Sequence, residues 1–91
     1  MNYEILYADE VVKKDIPKIS SFYKKRIKQD IEIKLTTEPS LYGKPLRRSL
    51  KGYFKLRVGD YRVVFCIEGK RVKIFVIAHR SVVYEIANKR I

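Results

Sequence analysis

Apolar residues alternate with polar ones over two neighbouring runs in the middle of the chain, residues 53–58 and 61–66. Gly59-Asp60 separates them and is typical of a tight turn, so the pattern predicts a β-hairpin in which Arg57 lies opposite Arg62. Because side chains alternate across a strand, the hairpin has two faces. One face is apolar and consists of Phe54, Leu56, Val58, Tyr61, Val63 and Phe65. The other is largely cationic and consists of Tyr53, Lys55, Arg57, Arg62, Val64 and Cys66.

A third alternating run, residues 71–79, follows a second turn at Gly69-Lys70. The pattern predicts that this run pairs back on residues 61–68 and extends both faces of the sheet. The apolar face then gains Val72, Ile74, Val76 and Ala78. The cationic face gains Lys73, Phe75, Ile77 and His79.

The amino-terminal third of the chain has the spacing of two amphipathic helices that follow a short strand. The first helix is predicted over residues 8–18, where Pro17 ends or bends it. The second begins at Ser20 or Ser21, either of which can cap it, and runs to about Thr36. The residues expected on the core side of these helices are Val11, Val12, Ile16, Ile19, Phe22, Tyr23, Ile27, Ile31 and Leu35.

A loop over residues 37–51 and a short terminal helix over residues 81–90 complete the order of elements. The order β-α-α-β-β-β predicts an α+β fold, with two amino-terminal helices on one face of a small, mainly antiparallel four-stranded sheet. The other face of the sheet is then open to a ligand. The length predicts a single domain over residues 1–91.

The charge indicates what that ligand is. Lysine and arginine number 21 against 10 acidic residues, a formal net charge of +11. Two arginines opposite each other destabilise a sheet unless a negative partner relieves their repulsion. Nucleic acid is the expected partner, although an acidic protein could mask the same surface and a merely solvated cationic face is the plainer alternative.

Two further features concern the compartment. The longest apolar runs, residues 63–67 and 74–78, are far too short to cross a membrane, so no membrane partner is expected. Cys66 is the single cysteine, and the first residues lack the basic-then-apolar order of a secretion signal. These features predict a cytoplasmic protein.

The residue types available limit the chemistry. With one histidine and one cysteine, the chain has too few ligands for a zinc-type cluster, and a two-histidine ribonuclease mechanism is impossible. RNA can nevertheless cleave itself when its 2′-hydroxyl attacks the neighbouring phosphate. A protein then has to align the attack, remove a proton and neutralise the developing charge. Arginine and lysine suit the last task, and tyrosine can serve as the base when cations stabilise its phenolate.

Three stretches resemble the RelE/ParE toxin superfamily, namely residues 43–46, 50–65 and 78–84, and the resemblance extends over the full chain. It implies the toxin half of a toxin–antitoxin pair. In the RelE branch the toxin enters the ribosomal A site and cuts mRNA there without metal or other cofactor. In the ParE branch it poisons DNA gyrase. The partners implied are a cognate antitoxin protein, the ribosome and mRNA.

The resemblance also implies a set of catalytic residues. Lys55 matches the second lysine of the RelE Lys-x-Lys strand motif, while Tyr53 stands at the position of the first. Arg62 matches the arginine of the following Tyr-Arg, and Tyr84 matches the carboxy-terminal tyrosine. Arg80 is the nearest arginine before that tyrosine, although its spacing differs from the RelE pattern.

The first hypothesis is therefore a ribosome-dependent mRNA endonuclease. Lys55 and Arg62 would hold the scissile phosphate, Arg80 would assist, and Tyr84 would act as general base or orient the 2′-hydroxyl. Six further basic residues are expected to contact RNA: Lys44, Arg47, Arg48, Lys51, Arg57 and Lys73. The alternatives are a ParE-like gyrase inhibitor without catalytic activity and a catalytically silent relative that binds only an antitoxin.

Overall fold

The computed structural model describes residues 2–91, and its strands form one sheet in the order β1-β5-β4-β3-β2. The strand bounds are β1 Glu4–Tyr7, β2 Lys44–Pro45, β3 Phe54–Val58, β4 Tyr61–Glu68 and β5 Arg71–His79. β1 runs parallel to β5, and the other neighbours are antiparallel. The predicted α+β fold is confirmed, with five strands rather than four. The additional strand, β2, is two residues long and lies inside the predicted loop, too short for any alternation to reveal it.

Helical segments flank the sheet. A π-helical turn, Val11–Asp15, leads into a 3₁₀ turn, Ile16–Lys18. α1 spans Ser21–Asp30 and continues as a second π-helical turn, Ile31–Leu35. α2 is a single turn, Pro39–Tyr42, a 3₁₀ turn covers Arg48–Leu50, and α3 spans Val83–Arg90. Within residues 2–91, no helix combines the length and the apolar character that crossing a bilayer requires.

The break between the first helical segment and α1 has the causes that the sequence indicates. Pro17 lies in the 3₁₀ turn, and Ile19 leaves the helix with extended dihedrals, φ −92° and ψ 136°. The Ser20 hydroxyl oxygen then accepts a hydrogen bond from the Tyr23 backbone N–H at 3.4 Å. This is the expected N-cap, which satisfies one of the unpaired donors of the first turn.

The prediction that Val12 and Phe22 face the core is wrong, because the two residues are 52% and 69% exposed. Each has a neighbour in sequence that faces inward instead: Val11 is fully buried and Tyr23 packs against the core. Consecutive residues of a helix point about 100° apart, so both members of such a pair cannot face the same sheet.

The first hairpin has the predicted register. Arg57 pairs with Arg62, and Val58 pairs with Tyr61. Gly59 adopts φ +58°, a left-handed conformation that glycine accepts without steric cost. A Cβ at Gly59 would also lie 2.8 Å from the hydroxyl of Tyr23, so the turn packs closely against α1.

A β-bulge in β5 changes the prediction for the second hairpin. Val64 pairs with Val76 whereas Phe65 pairs with Ile74, so Phe75 is an extra residue on β5. A one-residue shift exchanges the two faces of a strand. Beyond the bulge, Ile77 therefore packs on the side of the amino-terminal helices. Val76 and Ala78 pack on the opposite side, so the predicted faces of these three residues are wrong.

Two apolar clusters result, one on each side of the sheet. The larger lies beneath the amino-terminal helices and contains Val11, Ile19, Ile27, Ile31, Leu35, Leu56, Val58, Val63, Phe65, Val72, Ile74 and Ile77. The smaller lies beneath α3 and contains Leu50, Val64, Val76, Ala78, Val83 and Ala87. The face that was predicted to be open is therefore partly covered by α3, because the bulge supplies an apolar surface on which this helix packs.

The carboxyl end of α3 is fastened to β5 by an ion pair. Nη2 and Nη1 of Arg90 donate to Oδ1 and Oδ2 of Asp15 at 2.7 and 2.9 Å. Oδ2 also accepts from the Ile77 backbone N–H at 2.9 Å, and Nη1 donates to the Phe75 carbonyl at 3.2 Å. β1 pairs with β5 only as far as Ile74, so the ion pair satisfies backbone groups that no strand covers. The hydrogen bond to Asp15 raises the pKa of Arg90, with the nearby carboxylate charges adding to this effect and burial opposing it.

Breaking this ion pair should destabilise the whole chain. The two side chains are only 9% and 5% exposed, so Asp15→Ala leaves the Ile77 N–H without its acceptor. The buried guanidinium then keeps only the Phe75 carbonyl and the Glu10 carboxylate, which lies 3.9 Å from Nε. We expect a loss of about 3–5 kcal/mol in the free energy of unfolding, measured by urea denaturation. As a control, Glu85→Ala removes the exposed Lys89–Glu85 pair of the same helix and should cost less than about 0.5 kcal/mol. Equal losses in the two variants would contradict the assignment.

Candidate active site

A shallow pocket of about 490 Å³ lies beside the amino end of α3. Its lining consists of Lys55, Arg62, His79, Arg80, Ser81 and Tyr84. All four residues predicted as the catalytic set thus come together, although they are brought from β3, from β4, from the β5–α3 connection and from α3. Three cations around one concave surface make it suited to an anion.

Arg62 is held in position before any ligand binds. Its Nη1 donates to the carbonyls of Gly59 and Tyr61, both at 2.9 Å. The side chain therefore folds back onto its own turn and is partly buried. Within residues 2–91, only Nη1 of this guanidinium makes hydrogen bonds, so the other N–H groups can bind the oxygens of an anion.

Lys55 and Tyr84 meet across the boundary between the sheet and α3. Nζ of Lys55 lies 5.7 Å from the centroid of the Tyr84 ring, within the range of a cation–π interaction. Nδ2 of Asn88 donates to the Tyr84 carbonyl at 2.9 Å, and the Ser49 hydroxyl bonds to Oδ1 of the same asparagine. These bonds tie α3 to the 3₁₀ turn before β3 and so fix the backbone that carries the tyrosine.

Arg80 is attached to the first hairpin by its backbone rather than by its side chain. Its N–H donates to the Asp60 carbonyl at 2.8 Å. Its Nε lies 3.7 Å from the Asp60 carboxylate, but both side chains are about 60% exposed. An ion pair this exposed contributes little, so the guanidinium can exchange Asp60 for a more highly charged anion.

His79 and Ser81 also line the pocket, and sequence reasoning gave neither of them a role. The Ser81 N–H and hydroxyl lie 3.2 and 2.9 Å from Nδ1 of His79. The imidazole also packs edge-on against the Tyr61 ring at 5.8 Å. A signal was present in the sequence, because His79 directly precedes Arg80 at the end of a predicted strand.

The six residues predicted to contact RNA lie outside the pocket lining. Lys44 is the cross-strand neighbour of Lys55, and Arg57 is the neighbour of Arg62, so both extend the positive surface next to the pocket. Arg47, Arg48 and Lys51 are exposed on the connection between β2 and β3.

Lys73 is separate from this surface. It pairs with Cys66 near the opposite end of the sheet, and its Nζ lies 3.2 Å from the Glu68 carboxylate. The prediction groups Lys73 with the other five, whereas the structure does not bring it to the pocket.

Two titratable groups outside the pocket, Tyr7 and Cys66, have raised pKa values. No three histidine, cysteine or acidic side chains within residues 2–91 come together as a candidate metal site. Burial raises the pKa of Tyr7, with a further contribution from Glu32. Burial and Glu68 raise the pKa of the Cys66 thiol, and Lys73 opposes them. Neither shifted group lines the cationic pocket.

Comparison with known proteins assigns the family. The profile of the ParE toxin of type II toxin–antitoxin systems, parDE, matches residues 5–84. The chain therefore belongs to the ParE toxin family, within the RelE/ParE superfamily whose resemblance the sequence carries.

Individual relatives agree with this assignment. Toxin RelE of Mycobacterium tuberculosis is 48% identical over 52 residues, which are 55% of this chain and 54% of that protein, so the match spans about half of the relative's length. The toxin–antitoxin complex RelBE2 of the same organism has a similar chain, with TM-score 0.81, 29% identity, and coverage of 89% of this chain and 94% of that one. A chain of the RelB–RelE antitoxin–toxin complex of Methanococcus jannaschii is similar with TM-score 0.68 and 26% identity. The match covers 88% of this chain and 95% of that one.

The pocket should bind inorganic tripolyphosphate. Ligand binding to the folded state raises the melting temperature, so tripolyphosphate should stabilise the wild-type protein in differential scanning fluorimetry. Arg62→Ala should lose at least half of this increase. We expect the variant to fold, because relief of the repulsion from Arg57 offsets the two hydrogen bonds that the turn loses. Lys13→Ala removes one exposed charge from the first helical segment and serves as the matched control. The same loss in both variants would mean that only net charge matters.

Proposed function

We propose that this protein is the toxin of a type II toxin–antitoxin pair and acts as a metal-independent, ribosome-dependent mRNA endonuclease that inhibits translation. The observation that carries the proposal is the convergence of Lys55, Arg62, Arg80 and Tyr84 on one pocket. The similarity to a protein named Toxin RelE favours the RNA-cleaving branch of the superfamily. Action on ribosomes would place the protein in the cytoplasm.

The reaction needs no group from outside the RNA except proton carriers. The 2′-oxygen attacks the adjacent phosphorus, and the bond from phosphorus to the 5′-oxygen breaks. The products are a 2′,3′-cyclic phosphate and a 5′-hydroxyl end. The protein accelerates this reaction by holding the attacking oxygen in line with the leaving one and by stabilising the charge that develops on the phosphorane.

Charge stabilisation is assigned to the three cations of the pocket. Arg62 offers its unengaged guanidinium edge to two phosphate oxygens, a geometry that a lysine cannot reproduce. Because the Gly59 and Tyr61 carbonyls already hold this side chain, little reorganisation is needed when the charge develops. Lys55 supplies a second positive charge next to Tyr84, and Arg80 supplies a third from the rim.

Tyr84 is assigned to the 2′-hydroxyl, as general base or as the group that orients it. The Lys55 ammonium lies 5.7 Å from the centroid of the Tyr84 ring, so the hydroxyl of the tyrosine and a phosphate-binding cation are carried side by side. The position of the ring depends on α3, which is held at its far end by the Asp15–Arg90 ion pair. Proton removal and phosphate binding are therefore carried by different elements of the fold.

Substrate RNA is proposed to extend from the pocket over the adjoining basic surface. Lys44 and Arg57 flank the pocket, and the β2–β3 connection adds Arg47, Arg48 and Lys51. Contacts of this kind with phosphates give affinity without sequence selection. Positioning of the scissile nucleotide is assigned to the ribosome.

A cognate antitoxin is the proposed protein partner. The structures from Mycobacterium tuberculosis and Methanococcus jannaschii are both toxin–antitoxin complexes. With a net charge of +11, this chain is suited to an antitoxin segment rich in acidic residues. Such a segment would compete with RNA if it covered the same cations.

Gyrase inhibition is the second candidate, because the matching profile is that of the ParE toxin. Expression of the protein alone in a bacterial host distinguishes the two targets. We expect growth arrest with rapid loss of protein synthesis and mRNA cuts within reading frames, mapped by sequencing of 5′-hydroxyl ends. Intact mRNA together with induction of the DNA-damage response would select gyrase instead.

Single-turnover cleavage of mRNA on programmed ribosomes tests the catalytic roles. Tyr84→Phe removes only the hydroxyl and should slow cleavage by about 10²–10⁴-fold if that hydroxyl transfers the proton. Arg62→Ala should raise the barrier by about 3–4 kcal/mol, and Arg62→Lys should recover only part of this loss. Circular dichroism verifies folding. A folded variant with both Tyr84→Phe and Arg62→Ala that cleaves as fast as the wild type would disprove the site. A wild-type protein that neither cleaves mRNA nor slows growth would favour the catalytically silent relative.

A further inference from the structure

The pocket contains the chain's only histidine, His79, which has no role in the chemistry proposed above. His79 is the last residue of β5 and the cross-strand partner of Tyr61. It lines the same pocket as Arg62 and Tyr84, and its side chain is exposed to solvent. A ligand that reaches those two residues therefore also reaches the imidazole.

The contacts of Nδ1 determine where the proton of the neutral ring lies. The Ser81 backbone N–H, which can only donate, lies 3.2 Å from Nδ1. Nδ1 must therefore carry a lone pair, and the Ser81 hydroxyl at 2.9 Å can donate to the same nitrogen. The proton of the ring is consequently on Nε2, on the side of the imidazole that Ser81 does not occupy.

We infer that His79 is a catalytic residue that acts as a neutral hydrogen-bond donor, through Nε2–H, to a non-bridging oxygen of the scissile phosphate. The inference rests on the proposed endonuclease function and deepens it. The proton stays on Nε2 throughout the reaction. The 2′-hydroxyl proton passes through the Tyr84 hydroxyl to water, and the departing 5′-oxygen takes a proton from water, so the protons balance.

The contact with Ser81 fits an imidazole whose Nδ1 carries no proton. An imidazolium would place an N–H against the Ser81 N–H and lose that hydrogen bond. The edge-on contact with Tyr61 limits rotation of the ring, so the donor is oriented before the phosphate arrives.

Nitrogen NMR tests the donor without requiring any cleavage. Because the chain has a single histidine, protein labelled with ¹⁵N-histidine gives one pair of ring signals. At about pH 8, where an ordinary imidazole is neutral, we expect Nδ1 to be unprotonated and Nε2 to carry the proton. Saturating tripolyphosphate should shift the Nε2 signal more than the Nδ1 signal. A proton on Nδ1, or an Nε2 signal that does not respond to bound tripolyphosphate, would overturn the inference.

Two substitutions then separate hydrogen bonding from proton transfer in single-turnover cleavage. In His79→Gln the amide nitrogen reproduces the position of Nε2 as a neutral donor that cannot transfer a proton, whereas His79→Leu has no donor. We expect His79→Leu to be slower by about 10²-fold and His79→Gln to remain within about 10-fold of the wild type.

Two other results of the cleavage assay would overturn the inference. Equal losses in the two folded variants would show that His79 transfers a proton, and unchanged rates in both would show that it has no catalytic role. Either result overturns the inference while the endonuclease function stands. A wild-type protein that cleaves no RNA would instead reject the endonuclease function, and the nitrogen signals would still decide whether Nε2–H binds phosphate.

Discussion

The rest of the structure depends on the ion pair between Asp15 and Arg90, which joins residues 75 positions apart. It occupies the stretch of β5 that β1 leaves without a partner, and it holds the end of α3 against the sheet. Helices this short have little stability of their own in water, so α3 depends on such contacts. Since α3 carries Tyr84, a buried interaction far from the pocket determines whether the tyrosine stands above Lys55.

The parts of the fold that could be predicted are those controlled by local chemistry. Gly59-Asp60 and Gly69-Lys70 define both hairpin turns, and with them the register of β3, β4 and the first half of β5. Pro17 and Ser20 mark the break between helical segments. The bulge at Phe75 could not be predicted, because residues 74–78 are all apolar and offer no alternation from which the two faces of the strand can be assigned. The parallel partner of β5 is also set by tertiary packing rather than by local sequence.

The pocket residues were predictable to a different extent. Lys55 and Arg62 follow from strand alternation, because the hairpin register places them on one face. Arg80 and Tyr84 lie after β5, where the position of α3 decides whether they approach that face, and only the family resemblance indicated that they do. His79 was expected on the cationic face but received no role, because its contact with Ser81, two residues away, is visible only in the structure.

The bulge also has a consequence for how this chain can vary. Val76 and Ala78 support α3, and Ile77 completes the opposite core, only because one additional residue precedes them in β5. Exchange of one of these apolar residues for another of similar size leaves each side chain packed on the same side of the sheet. Loss of a single residue would turn all three to the wrong side and remove the floor beneath α3. In β5, substitutions between apolar residues are therefore better tolerated than the insertion or deletion of a residue.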